Sequence, residues 1–170
     1  IEHIASHDEL TGLPNRNLLT DRLRHSLAIA KRQGGKLAVM FIDLDNFKNV
    51  NDTLGHDVGD LLLVQASQRL QSCVRDSDTL ARLGGDEFVA ILTCTQIEEI
   101  NTIAARVVDF MSASFHIQEH QLFVSASIGI TVYPNDANDV ESLFRNADQA
   151  MYAAKKAGRN QHSWYTPGMQ

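Results

Sequence analysis

Leu80-Ala81-Arg82-Leu83-Gly84-Gly85-Asp86-Glu87-Phe88-Val89-Ala90-Ile91-Leu92 sets two apolar segments on either side of a glycine pair. Only glycine takes positive φ without steric cost, so adjacent glycines between such segments mark a tight hairpin turn with a strand on each side. The turn presents Asp86 and Glu87 at its lip. Side chains alternate across a strand, so two consecutive carboxylates just past the turn point to opposite faces, and at most one aims at a given site on the sheet surface. Acids at the start of so apolar a strand either solvate a wet hairpin tip or belong to a site.

The partner that favours a site lies upstream, in Leu37-Ala38-Val39-Met40-Phe41-Ile42-Asp43-Leu44-Asp45-Asn46-Phe47-Lys48. Six apolar residues in a row are too few to span a membrane and suit a strand buried on both faces in the middle of a sheet. That strand ends in Asp43 and Asp45. A central strand ending in acids, beside a hairpin whose lip carries another, brings Asp43 and Asp86 within reach of one divalent cation. Hard oxygen ligands suit magnesium or manganese, held by one or two carboxylates with phosphates and water completing the shell.

The rest of the chain bounds the answer. At 170 residues, 44% hydrophobic and 21% charged, it fits one globular domain with a sizeable core. A net charge of −6 argues against non-specific binding of nucleic acid or direct contact with an anionic membrane, but leaves a small nucleotide open. Cys73 and Cys94 lack C-x-x-C spacing and read as reduced core residues of a cytoplasmic protein. There is no signal peptide and no apolar run of membrane-spanning length. A chain opening on Ile1 and closing on Tyr165-Thr166-Pro167-Gly168 reads as a module lacking its sensor or partner domain.

Helical spacing of Leu18, Leu19, Leu23 and Leu27 predicts a helix up to Gly34-Gly35, followed by the buried strand. A short helix through Val50 and Leu54 is expected to break at Gly55 to Gly59 and restart at Asp60. Ile100, Ile103, Ala104, Val107, Val108 and Met111 predict a helix from Ile97 to about Ser114. A second hairpin follows, holding His116 and His120 as surface residues and Val124 to Tyr133 as its longer strand. Asn138 with Glu141 is a capping-box-like pair opening a last helix that Gly158 ends. His3 and His7 have i, i+4 spacing but no third ligand nearby, and read as a solvated face. The mix of strands and helices is α+β: a single sheet covered by helices.

Gly84-Gly85-Asp86-Glu87-Phe88 is also the signature of the GGDEF family, the diguanylate cyclases that join two GTP into cyclic di-GMP, and the chain resembles that family well beyond it. The resemblance extends over Asp8-Glu9-Leu10-Thr11-Gly12-Leu13-Pro14-Asn15-Arg16, Phe41-Ile42-Asp43-Leu44-Asp45 with Phe47-Lys48, and Asn51-Asp52 with Gly55-His56 and Gly59-Asp60. It returns in Ala153-Ala154-Lys155 with Gly158-Arg159-Asn160. It implies residues 1–7 as the end of a connecting helix, 8–165 as the domain and 166–170 as a linker. It also implies the palm fold of nucleotide cyclases, a mostly antiparallel sheet on a ferredoxin-like core.

By the same resemblance Asp43, Asp86 and the Leu44 carbonyl bind magnesium or manganese, and Glu87 assists metal binding or proton transfer. Gly84 and Gly85, the backbone at Phe47 and Lys48, and Lys155 and Arg159 meet the triphosphate; Lys155 and Arg159 alone would read as a solubilising helix end. Asp60 reads the adjacent guanine donors with Asn51 beside it, although both are also common turn formers. Arg75-Asp76-Ser77-Asp78 has the R-x-x-D form, with Arg75 nine and Asp78 six residues before Gly84, and resembles the family's inhibitory product site. Arg75 and Asp78 would bind cyclic di-GMP there, with Arg106 completing the site.

Each domain then holds one GTP and acts as half of a homodimer. The main rival is a silent module that holds GTP or cyclic di-GMP and regulates a neighbour. Tyr165-Thr166-Pro167 resembles the exit of domains joined to a phosphodiesterase EAL domain. An ATP-using cyclase of the same fold is disfavoured by Asp60 and Asn51.

Overall fold

In the computed structural model, which describes residues 5–169, the two apolar runs become neighbouring strands. Asn15 opens helix α1 (Arg16–Gln33) by accepting from the Leu18 amide, and Gly34, at φ 79°, ends it. There follow β1 (Lys36–Leu44), α2 (Phe47–Leu54), α3 (His56–Gln71), β2 (Thr79–Gly84), β3 (Glu87–Cys94) and α4 (Ile97–Ser112). The chain continues through β4 (Phe115–Ile117), β5 (His120–Leu122), β6 (Ala126–Tyr133), α5 (Val140–Lys156) and β7 (Gln161–Trp164).

The main sheet has the order β2-β3-β1-β6-β7, antiparallel throughout except where β7 runs parallel to β6. β1 lies at its centre, which is why its apolar run is continuous rather than alternating. On one face Met40, Ile42, Phe88 and Ile128 pack with Leu62 and Leu70 of α3 and Ile100 and Val107 of α4. On the other, Val39, Val89 and Ile91 pack with Leu19 and Leu23 of α1 and Leu143 and Ala147 of α5. Each such fully buried side chain contributes about 1.5–3 kcal/mol, so the two cores hold both helical layers on the sheet.

One contact fixes where the last helix ends. A Cβ added at Gly129 of β6 would lie 2.1 Å from the Ala147 carbonyl and 2.1 Å from the Met151 amide. α5 therefore rests backbone against backbone on β6, which only glycine permits. Because β6 pairs with β1 at Ser127↔Asp43, that seating brings the last turn of α5 to the acid end of the central strand.

Several local expectations are corrected. A register shift between Arg82 and Gly84 leaves Leu83 unpaired, and Gly84 pairs with Glu87, so the turn residues are Gly85 and Asp86 rather than Gly84 and Gly85. The α2–α3 break is Gly55 alone, at φ 93°; α3 starts at His56 and contains Gly59 and Asp60. α4 stops at Ser112 because Phe115 already belongs to β4. β4 and β5 form their own two-stranded sheet carrying His116 and His120, while β6 joins the main sheet instead of pairing in that hairpin. The cap of α5 is Asp139, which accepts from the Ser142 amide at 3.2 Å, and not Asn138.

His3 lies outside the described residues. The helical turn at Ala5 and Ser6 stops before His7, which bridges to Pro14. Cys73 and Cys94 are buried and free, as expected. Among the described residues no helix is long and apolar enough to cross a membrane.

Candidate active site

Asp43 is the last residue of β1 paired to β3, directly opposite Glu87, and the next amide, Leu44, donates to the Asp86 carbonyl at 3.3 Å. The β2–β3 turn is braced from outside the hairpin. Arg82 Nε and Nη2 donate to the Gly85 carbonyl at 3.0 and 2.8 Å, and Nη1 pairs with Asp8 Oδ1 at 2.8 Å. Asp8 Oδ2 accepts from the Thr11 amide and hydroxyl, and the Arg82 amide donates to the Pro14 carbonyl. The segment from Asp8 to Pro14 thus holds the turn that holds Asp86.

The electrostatics at this corner are unbalanced. Asp43 is 5% exposed; Oδ2 pairs with Lys155 Nζ of α5, while Oδ1 is buried with no hydrogen-bond partner. Burial first, then the neighbouring Asp43 carboxylate, push the Asp86 carboxyl up to about 7, with Lys155 opposing. Glu87 is also raised, by burial and then by Asp43 and Asp148, against Lys155 and Arg16. Both acids of the lip therefore feel the charge of Asp43, although only Asp86 lines the cleft beside it. Asp86 sits in the turn, outside the alternation of the strand.

Among the described residues no cluster of three or more His, Cys, Asp or Glu is arranged to hold a metal. Two carboxylates with an orphaned buried oxygen still fit a magnesium-type ion, which keeps several waters and takes its remaining ligands from phosphates. Such a cation would satisfy Asp43 Oδ1 and relieve the like-charge pair.

These acids open into a cleft of ≈ 500 Å³ that Leu44, Phe47, Lys48, Lys155 and Arg159 also line. Its floor includes the start of α2, entered through Asn46 in the left-handed region at φ 67°, where the first amides of a helix have no internal acceptors. Asp45, expected to share the acid end of β1, instead ties the walls together. It is 4% exposed and accepts from Ser125 Oγ at 2.5 Å, Ser127 Oγ at 2.7 Å and the Asn160 amide at 3.1 Å, with Arg159 Nε at 3.9 Å. Arg159 and Asn160 are consecutive non-glycine residues at φ 62° and 52°, a conformation this acid helps to hold.

Asn51 and Asp60 are not among the residues lining that cleft. Asn51 lies on α2 with its side chain against Gly59, where an added Cβ would stand 1.8 Å from Oδ1; that oxygen is buried and lacks a partner. Asp60 is exposed on α3. Arg75 and Asp78 are joined at 2.9 Å, but Arg106 donates to the Cys73 carbonyl at 3.1 Å and has no described contact with that pair. A separate, more apolar cleft of ≈ 340 Å³, between α1 and the ends of β1 and β3, includes Ile29, Leu37 and Cys94 and contains none of the expected site residues.

Sequence reading did not find Asp45, Arg82 and Asp8 as parts of the site. The D-x-D spacing and the arginine two residues before Gly84 were visible, but their partners lie 74 to 115 residues away.

Comparison with known proteins places the chain in a family. The profile of the diguanylate cyclase GGDEF domain matches residues 5–161. The chain is 46% identical over 166 residues to the bifunctional diguanylate cyclase/cyclic di-GMP phosphodiesterase MucR of Pseudomonas aeruginosa, covering 98% of this chain and 24% of MucR. It is 39% identical over 166 residues to the cyclic di-GMP phosphodiesterase NbdA of the same organism, covering 98% of this chain and 21% of NbdA. It therefore spans about a quarter or less of these relatives.

The solved GGDEF domain of TpbB (YfiN) from Pseudomonas aeruginosa superposes with a TM-score of 0.92 at 39% identity, covering 94% of each chain. The coiled coil and GGDEF domain of DgcB from Caulobacter crescentus, solved with cyclic di-GMP, gives 0.85 at 27% identity, covering 96% of this chain and 87% of that one. With the signature turn, the acid-ended central strand and this match over nearly its whole length, the chain belongs to the GGDEF family of diguanylate cyclase domains.

Proposed function

We propose that the domain condenses two GTP into cyclic di-GMP and two pyrophosphates, acting as one half of a homodimer. The observation that carries this reading is the buried Asp43 Oδ1 without a partner beside an Asp86 carboxyl held near neutrality, in a cleft walled by Lys155 and Arg159. Asp43, Asp86 and the Leu44 carbonyl hold magnesium or manganese. When bound, that cation stabilises negative charge on the α-phosphate and lowers the pKa of the attacking hydroxyl.

The chain's own residues do the positioning. Lys155 and Arg159 bind the terminal phosphates, joined by the first amides of α2 at Phe47 and Lys48. Gly84 and Gly85 let the triphosphate approach the backbone of the turn. Asp60 accepts from guanine N1–H and the 2-amino group, and Asn51 supplies a further hydrogen bond. Glu87, on the face of Asp43, assists metal binding or proton transfer. In each half-reaction the 3′-hydroxyl of one GTP forms a P–O bond to the other's α-phosphorus. The α–β bridge breaks, pyrophosphate leaves and the hydroxyl proton is lost.

One domain holds one GTP, so two must face each other, and specific activity rises with protein concentration. Cyclic di-GMP binds at Arg75 and Asp78, with Arg106 recruited, and inhibits. The full protein adds a sensor domain and an EAL domain, and the module works in the cytoplasm.

The test is incubation of concentrated protein with GTP and magnesium, chromatographic detection of cyclic di-GMP, and an Asp86→Ala control. Product from the native chain alone supports the reading; a flat concentration profile contradicts the dimer. The phosphodiesterase name of NbdA favours a second reading, a silent nucleotide-binding module. That reading predicts GTP or cyclic di-GMP binding by titration with no product, even from an enforced dimer.

A further inference from the structure

The R-x-x-D loop is closed on itself. Asp78 accepts from the Arg75 amide at 2.8 Å, from Nε at 2.9 Å and from Nη2 at 2.9 Å, and its side chain has no solvent exposure. Nη2 also donates to the Thr93 carbonyl at 2.5 Å. The remaining nitrogen, Nη1, donates to Glu99 Oε2 at 3.2 Å. Four of the five guanidinium N–H donors are thus taken from within the chain, and the fifth shares Nη1 with the bond to Glu99, so an anionic ligand must bind beside that carboxylate or displace it.

The partners are not equivalent. Asp78 is buried and Thr93 contributes backbone from β3, so both are fixed. Glu99 is 39% exposed and stands in the first turn of α4. Its other oxygen, Oε1, accepts from the Thr95 amide at 3.3 Å, Thr95 Oγ1 at 3.1 Å and the Gln96 amide at 3.1 Å. Capping therefore anchors one carboxylate oxygen and leaves the other on Arg75. A phosphate approaching Arg75 meets a carboxylate of like charge already in place.

We propose that Glu99 sets the affinity of the product site: it occupies Arg75 Nη1 and repels the phosphates of cyclic di-GMP, so the loop binds product more weakly than its own residues allow. This rests on the reading of Arg75 and Asp78 as the product site. Glu99→Gln is the informative variant, because the amide oxygen keeps the cap while the charge opposite Arg75 disappears. Its sign is also informative, since damage to folding or to the α4 cap lowers affinity and does not raise it.

The experiment is calorimetric titration of the chain with cyclic di-GMP, comparing native, Glu99→Gln and Arg75→Ala proteins at two salt concentrations. Expected are a Kd lower by about threefold or more in Glu99→Gln, in keeping with a partly exposed charge pair, and a gain that shrinks as salt rises. Arg75→Ala loses binding. An unchanged or weaker Kd in Glu99→Gln, with binding lost in Arg75→Ala, overturns the role of Glu99 and leaves the product site standing. Native-like binding by Arg75→Ala, or no binding by native and Glu99→Gln alike, overturns the product site and this inference with it.

Discussion

The acid corner around Asp43 and the loop around Arg75 are built from similar parts, yet they end in opposite states. At the first, Asp43 and Asp86 face Lys155 with one carboxylate oxygen orphaned and one carboxyl raised to about 7. At the second, Asp78, Thr93 and Glu99 together take four of the five N–H donors of Arg75. A buried charge without full compensation is costly to a fold and persists where a ligand completes it. A nearly complete charge pair costs the resting fold little, and a ligand must compete with it to bind.

The sharpest way to break this contrast is Asp86→Asn. It removes a donor for the cation and the like charge facing Asp43, so cyclic di-GMP formation should fall by at least about 100-fold while the melting temperature holds or rises. A variant that lost activity and stability together would mean that Asp86 braces the fold. Arg82→Ala tests the brace itself. Losing two bonds to the Gly85 carbonyl and the pair with Asp8 should cost about 1–3 kcal/mol in chemical denaturation and about tenfold or more in activity.

A smaller effect is expected from Gly59→Ala. The new Cβ would meet the end of the Asn51 side chain and must push it aside, so KM for GTP is expected to rise about tenfold while stability changes by about 1 kcal/mol. An unchanged KM would remove Asn51 from guanine recognition.

The smallest effect is in pH. The folded pKa of Asp86 lies above its ordinary value of 3.8, so between about 4 and 7 the native state binds more protons than the unfolded chain, and metal-free stability falls as pH rises through that window. Discounted for solvent screening of a half-buried group, this amounts to about 1 kcal/mol, or about 2–4 °C in Tm. The slope should flatten in Asp86→Asn or with saturating magnesium, and a slope unaffected by either would assign it to other groups.

What sequence could reveal divides along the distance between partners. β1, β3 and the meeting of Asp43 with Asp86 followed from a continuous apolar run and a glycine turn, both local signals. The register of that turn did not, because the irregularity at Leu83 depends on how β2 pairs with β3. Asn138 and Asp139 are equally good caps by type, and only the path of the chain into α5 chooses between them. Asp45 read only as an acid at the end of β1 because its partners, Ser125, Ser127 and Asn160, are brought to it by β6 and β7. The closure of Arg75 onto Glu99 likewise needs α4 packed against the end of β3.

Lys155 carries a consequence for how such a domain persists without a bound cation. Its ammonium lies on Asp43 Oδ2, placed there by the seating of α5 over Gly129. It is a tethered counter-ion, a placeholder that no dilution can remove, and it keeps the central acid from standing wholly bare. A structural zinc site collapses when its ion is stripped. This corner is expected instead to stay folded under chelation and to recover on adding divalent cation, so metal supply would switch the chemistry on and off without unmaking the protein.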